Sequence, residues 1–240
     1  MTQTFKRTHG WHNGICAATI ALGTVLASDD VRAKDALFDG CPSEPIIQRF
    51  IEFGKTGKMP PDLGKWLNTP DAQKVGPWEP FDNVTYVGIC WVSAWLIETE
   101  EGSVLIDTLY GPYTAQLVDN LKSAGVDLAD IKYVLMTHGH FDHTSEVDAI
   151  AKETGAPVVG IPELCAIFDA HETVEFNKGG TVDLGGALVS MVQATHSSSV
   201  GSAYAGTESG YMIKGEGHTI YVSGDTDIMA DMDWMGDFYN

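Results

Sequence analysis

Hydrophobic and polar positions become regular from Phe81 onward, and the pattern there predicts most of the elements. Residues 84–87 and 91–97 are short β-branched and aromatic runs, as strands require, and Glu100-Glu101-Gly102 turns the chain into a further strand over 103–107. Leu117, Val118, Leu121 and Ala124 recur at helical spacing after Pro112 and stop at Gly125, which predicts a helix. Residues 131–136 are an apolar run of buried-strand type. Thr144 or Ser145 then stands where a second helix needs its cap, with Val147, Ile150 and Ala151 inward and Gly155 at its end. A strand over 157–160 and a short helix over 162–170 follow. The rest reads as β, at 181–182, 187–193, 210–213 and 219–223, with a turn over 214–218. Strand–helix alternation followed by hairpins predicts an α/β domain of two sheets with helices outside.

Upstream of Phe81 the pattern breaks down. Residues 45–53 have helical spacing, but Gly and Pro then recur too often for a long element, so 34–80 reads as an irregular arm laid over the domain. Trp66 and Trp78 read as packing groups on the core or surface, with the lining of a substrate mouth as the alternative. Residues 1–33 read as an export signal: Lys6 and Arg7 precede a mostly apolar stretch over 15–28, and Val25-x-Ala27 or Val31-x-Ala33 offers a cleavage site. That reading expects the mature protein in the periplasm or outside the cell; the alternative is a short buried helix in a cytoplasmic protein. No apolar run reaches the roughly 18 residues of a membrane span, so the mature form is not expected in a membrane.

Composition changes this picture in two ways. A formal charge of -19 on 240 residues argues against nucleic acid as a partner, since that contact needs clustered Lys and Arg, and otherwise serves to keep the protein soluble. Removal of Cys16 with the signal leaves Cys41, Cys90 and Cys165, enough for one disulfide at most. Cys90 in a strand-like run and Cys165 in a helix suit buried thiols.

Candidate chemistry is concentrated where the 131–136 run ends. His138, His140, Asp142 and His143 fall within six residues, and imidazoles with a carboxylate at a strand end suit zinc or another first-row divalent ion. His9, His12, His171 and His218 have no ligand spacing and read as surface residues.

The H-x-H-x-D-H run after a buried strand resembles the defining motif of the metallo-β-lactamase superfamily. Other landmarks resemble it in order: Asp107 at the end of an early strand, His196 after a later one, and Asp225 in Ser223-Gly224-Asp225-Thr226. The resemblance covers 81–240 and implies a four-layer αββα sandwich. It implies that His138, His140 and His196 hold a first zinc, that Asp142 and His143 hold a second, and that Asp225 bridges them. It gives Asp142 a further role in proton transfer and makes Asp107 a brace behind the ligands.

The stretch 81–143 resembles secreted metallo-β-lactamases. From about Glu146 on, Gly179–Val182, Ala194–Ser198 and Tyr221–Thr226 are similar to metal-dependent hydrolases related to ascorbate-phosphate lactonase. A bridging carboxylate at Asp225 fits lactonases and thioesterases better than β-lactamases. The implied activity is a zinc hydrolase that opens a lactone, ester or related acyl bond with a metal-bound hydroxide. β-Lactam hydrolysis is the alternative, and a truncated, non-catalytic metal-binding product is the alternative of another class. The family's last His has no counterpart in the fifteen residues after Asp225, so the expectation is a C-terminally truncated domain with an incomplete second site.

Overall fold

The computed structural model describes Cys41, residues 44–169 and residues 171–239. The expected export segment, with His9, His12 and Cys16, lies outside these residues.

The arm is more ordered than its glycines and prolines suggest. It carries α1 (Glu44–Thr56), α2 (Pro61–Leu67) and α3 (Pro70–Gln73). Pro61 and Pro70 stand at the first helical position, where a fixed φ helps and a missing N–H costs nothing, so these prolines start short helices. Leu63 and Leu67 are buried, and the carbonyl of Leu67 accepts hydrogen bonds from Tyr110 (3.0 Å) and Tyr113 (2.6 Å). A disulfide joins Cys41 to Cys90, and Phe50 stacks on Trp91 with ring centroids 6.0 Å apart. Cys165 is a buried free thiol, as its place in a helix predicts.

Seven strands form the first sheet: β1 (Trp78–Phe81), β2 (Val84–Tyr86), β3 (Trp95–Thr99), β4 (Gly102–Ile106), β5 (Ile131–Leu135), β6 (Val158–Gly160) and β7 (Thr173–Glu175), in that spatial order. The sheet thus starts inside the expected arm, at Trp78. Pairing is antiparallel from β1 to β4, and parallel from β4 to β7, where each connection carries helical turns. Those connections hold α4 (Thr114–Ser123), α5 (Phe141–Thr144) with α6 (Val147–Thr154), and α7 (Pro162–Cys165). Gly155 ends α6 in a left-handed conformation at φ 70, as expected. The α6 cap differs: Glu146 occupies it, while the hydroxyls of Thr144 and Ser145 turn back to the carbonyls of His140 and Phe141. The metal-motif turn α5 therefore takes both residues expected to cap the helix.

The second sheet is antiparallel, with β8 (Thr181–Leu184), β9 (Ala187–Gln193), β12 (Ser209–Gly215) and β13 (His218–Val222) in the order β13-β12-β9-β8. A two-residue hairpin, β10 (Ser199–Val200) with β11 (Ala203–Tyr204), stands apart from both sheets. Alternation sorts the faces: Val189, Met191, Tyr211 and Ile213 join the large core shared with the first sheet. Val192 and Met212 point the other way and are covered by Met235 of α8 (Met232–Tyr239), an element the sequence reading did not assign. The two sheets with flanking helices make the expected αββα arrangement. Among the described residues, no helix is long and apolar enough to cross a membrane.

Candidate metal centre

Strand ends bring the candidate ligands together. β4 ends at Ile106 and β5 at Leu135, parallel neighbours paired at those residues, so Asp107 and the 137–143 segment emerge side by side. Asp107 and Leu109 take left-handed backbone at φ 59 and φ 62, which disfavours a branched side chain such as the fully buried Leu109. The bend is held by Thr108, whose N–H and hydroxyl both donate to the carbonyl of His143, at 2.8 and 3.0 Å.

The buried Asp107 carboxylate accepts from the Thr137 N–H (2.9 Å), the Thr137 hydroxyl (2.7 Å) and His143 Nδ1 (2.8 Å). Because the Thr137 proton goes to Asp107, its oxygen accepts from His138 Nδ1–H at 3.1 Å, which leaves His138 Nε2 bare. His143 likewise uses Nδ1 on Asp107 and aims Nε2 at the carboxylates of Asp225 (3.5 Å) and Asp142 (3.7 Å).

His196 and Asp225 come from the second sheet. The Thr195 N–H donates to Thr226 Oγ1 at 2.9 Å and the Asp227 N–H to the Thr195 carbonyl at 3.0 Å, which ties the two loops together. His196 N–H also donates to Glu208 at 3.0 Å. Asp225 Oδ2 then lies 3.7 Å from His196 Nε2. Ser197 and Ser198 both bond within the site's own loops. Ser197 Oγ bonds His140 Nε2 at 3.1 Å, and Ser198 Oγ accepts from the Gly139 N–H at 3.0 Å.

Two donor groups result. His138, His140 and His196 form one; His143 and Asp225 share the second with His138, each set within 4.8 Å. Asp142, expected in the second set, reaches His143 but does not close such a group. His171 also differs from expectation: it is half-buried and bonds Asp148 at 2.8 Å, far from both groups in sequence and pairing. His218 is exposed, as expected.

The first group fits a cation. His140 Nδ1 lies 3.1 Å from His138 Nε2 and 3.2 Å from His196 Nε2. One linear N–H bond satisfies only one of those contacts whatever the tautomers, whereas a cation serves all three nitrogens. Protonation offers no escape at His138, where burial and the neighbouring His143 push the pKa down to about 3. Burial and His196 lower His140 as well. Around the second group the order reverses. Burial works against a charged His143, but Asp107 and Asp225 outweigh it and raise its pKa. Burial would raise Asp225 too, yet the hydrogen bond and charge of His143 bring it to about 2. Asp142 is raised, chiefly by burial.

Sequence reasoning missed Thr108, Thr137 and Glu208. A hydroxyl beside the first ligand was the only signal for Thr137; the others become visible once the strands are paired.

Comparison with known proteins agrees with the arrangement. The chain is 51% identical over 160 residues to a UPF0173 metal-dependent hydrolase of Cereibacter sphaeroides (strain ATCC 17029 / ATH 2.4.9), covering 63% of this chain and 68% of that protein. A UPF0173 metal-dependent hydrolase of Paracoccus denitrificans (strain Pd 1222) is 50% identical over 154 residues, covering 61% and 66%. The chain thus spans about two thirds of the length of these relatives. Among solved structures, MIM-2 metallo-β-lactamase superimposes with a TM-score of 0.52 at 22% identity, over 64% of each chain. The Cronobacter sakazakii metallo-β-lactamase gives 0.53 at 22%, over 66% of this chain and 65% of that one. At that identity the likeness is one of fold. The family model described as "Metallo-beta-lactamase superfamily" matches residues 87–238, a span that holds every candidate ligand, and the chain belongs to that superfamily.

Proposed function

We propose that this chain is a zinc-dependent hydrolase acting on a lactone, ester or related acyl bond of a small molecule. The convergence of His138 Nε2, His140 Nδ1 and His196 Nε2, with the first two rings held by Thr137 and Ser197, carries the reading. These three nitrogens would hold one ion; His143 Nε2 and the Asp225 carboxylate, beside His138, would hold a second. A bound divalent ion supplies a water acidified to a pKa of about 7 and a Lewis acid for the substrate oxygen.

The protein's own groups do the rest. Asp107 fixes the rotation and tautomer of His143, and Thr137 does the same for His138. Asp142, buried and with its pKa raised, is the carboxyl suited to take a proton from the nucleophile and pass it to the departing oxygen. The acidic surface, at a formal charge of -19, favours a small substrate over nucleic acid. Export to an oxidising compartment accords with the Cys41–Cys90 disulfide, which persists poorly where thiols are kept reduced.

The test is purified protein assayed before and after zinc loading on a panel of lactones, esters and β-lactams, with zinc measured alongside. Zinc-dependent turnover of a lactone or ester is expected. Bound zinc with turnover of β-lactams alone would move the assignment to the β-lactamases, and no zinc uptake would remove it.

A further inference from the structure

Three of the imidazoles at the centre are fixed at the ring nitrogen turned away from it. Thr137 holds His138 Nδ1, Ser197 lies 3.1 Å from His140 Nε2, and Asp107 holds His143 Nδ1. His196 is held through its main chain, where its N–H donates to Glu208 Oε1 at 3.0 Å. His196 lies at the start of the loop that carries the β10–β11 hairpin, and Glu208 ends that loop just before β12. This bond therefore clasps the loop at its base.

The neighbour of Glu208 shows what the clasp is fastened to. The Ser209 N–H donates at 3.0 Å to the carbonyl of Thr137, the residue before His138. A Cβ on Gly224, the residue before Asp225, would stand 2.8 Å from the Ser209 carbonyl oxygen. Residues 208–209 thus meet the three segments that deliver His138, His196 and Asp225. Main-chain contacts secure the first and third, and the Glu208 side chain secures the second.

A half-buried carboxylate keeps such a place only if it does not turn out to water. Lys178, half-buried in the loop between β7 and β8, supplies a counter-charge: burial lowers its pKa, and the Glu208 charge opposes that. Its Nζ donates to Gln193 Oε1 at 3.1 Å, and Gln193 pairs with Ser209 across β9 and β12, so strand register brings the ammonium to the Glu208 end of the sheet. The Lys178 loop is itself pinned to β9, where the Gly179 N–H donates to the Met191 carbonyl at 2.8 Å.

We infer that Glu208 is the positioning residue for His196, setting its imidazole against those of His138 and His140, and that Lys178 keeps the Glu208 carboxylate in place. The inference rests on the metal-centre reading and adds to it two residues outside both donor groups. What His196 needs is an oxygen within reach of its N–H, and what Lys178 answers is the charge on that oxygen. Substitution at Glu208 separates reach from charge.

Zinc affinity of the full chain is measured by chelator competition. Glu208→Ala should weaken it roughly 10–100-fold, the usual effect of removing an outer partner of a ligand. Glu208→Asp keeps the charge but is one methylene too short, and it should lose as much; it also carries the test if Glu208→Ala does not fold. Glu208→Gln keeps an acceptor oxygen at the same reach and should stay within about threefold of the parent. Lys178→Met should weaken zinc binding in the parent and leave Glu208→Gln unaffected, since no charge remains there to hold. With cobalt in place of zinc, the visible absorption should change in Glu208→Ala and Glu208→Asp and match the parent in Glu208→Gln. Parent affinity in both Glu208→Ala and Glu208→Asp, or equal losses in Glu208→Ala and Glu208→Gln, overturns the role of Glu208. An equal loss from Lys178→Met in both backgrounds overturns that of Lys178.

A metal-free arm separates this from the metal reading. Hydrogen exchange of the His196 amide, followed by NMR, should be slow in the parent and in Glu208→Gln, and faster by roughly tenfold or more in Glu208→Ala and Glu208→Asp. That pattern, in protein that takes up no zinc, supports the clasp and removes the metal reading alone. A His196 amide that exchanges equally fast in the parent and in Glu208→Ala overturns the clasp.

Discussion

Asp107 holds His143 Nδ1 at 2.8 Å from a left-handed backbone position, so the residue that positions this imidazole is itself at a strained point of the chain. Asparagine tolerates that conformation nearly as well as aspartate. Asp107→Asn therefore leaves the bend intact while losing one acceptor among three demands: two from Thr137 and one from His143. Zinc affinity or turnover should fall roughly 10–100-fold, the usual effect of removing such a partner. Competition with a chromogenic chelator measures it, and an affinity equal to the parent's with normal stability would show that Asp107 does not act through His143.

If the three-histidine group is the tighter site, zinc should stabilise the fold. A ligand at 1,000 times its dissociation constant adds about 4 kcal/mol to unfolding. Urea titration with zinc and with a chelator should differ by an amount of that order. In His138→Ala with His140→Ala the difference should vanish, since two of the three donors are gone. A double variant that keeps the zinc-dependent shift places the ion elsewhere.

The contrast between these two groups of residues shows what was legible in the sequence. His138, His140, Asp142 and His143 crowd into one strand-end segment, and that density alone marks metal chemistry. His196 and Asp225 are single residues in ordinary turns, and only the resemblance singled them out. Thr108 and Thr137 carried almost no signal, because their partners are 35 and 30 residues away and meet them only after β4 pairs with β5. A seven-residue strand such as Ala187–Gln193 is long and apolar enough to be legible to the residue. Short ones did not: Thr173–Glu175 and Ser199–Val200 are too brief for a period to show. In the arm, Pro61 and Pro70 were read as breakers, when each in fact begins a helix.

Gly139 stands between two of the candidate ligands, where packing rather than turn geometry demands glycine. A Cβ there would meet the Ala205 methyl at 2.6 Å and the Ser199 backbone at 3.1 Å. Its N–H also anchors on Ser198. Gly139→Ala must push the β10–β11 hairpin away, at a cost of about 1–3 kcal/mol for overpacking. The denaturation midpoint should fall and zinc content with it, since His138 and His140 flank the displaced residue. A variant as stable as the parent and fully loaded would mean that the hairpin yields freely.

The Cys41–Cys90 disulfide closes a loop across 49 residues that includes all three arm helices and the first two strands. In the chain-entropy account, a crosslink of that span restricts the unfolded chain by about 4 kcal/mol. The native side adds contacts that depend on it: Phe50 on Trp91, and Trp91 Nε1–H donating to the Tyr110 hydroxyl at 3.2 Å. Tyr110 in turn packs edge-on against Phe141, with centroids 5.0 Å apart, and Phe141 follows the candidate ligand His140. The arm is thus linked to the metal-motif turn by a chain of rings, while Leu67 accepts from Tyr110 and Tyr113 independently of the disulfide. Cys41→Ser with Cys90→Ser should therefore cost several kcal/mol in urea unfolding, yet leave α2 docked and zinc bound. Proteolysis should then cut first in α1, ahead of Pro61, because that helix loses its covalent tie and has mostly exposed residues. Cleavage first within the 137–143 segment, or loss of zinc with the disulfide alone, would show that the bridge holds the metal centre itself together.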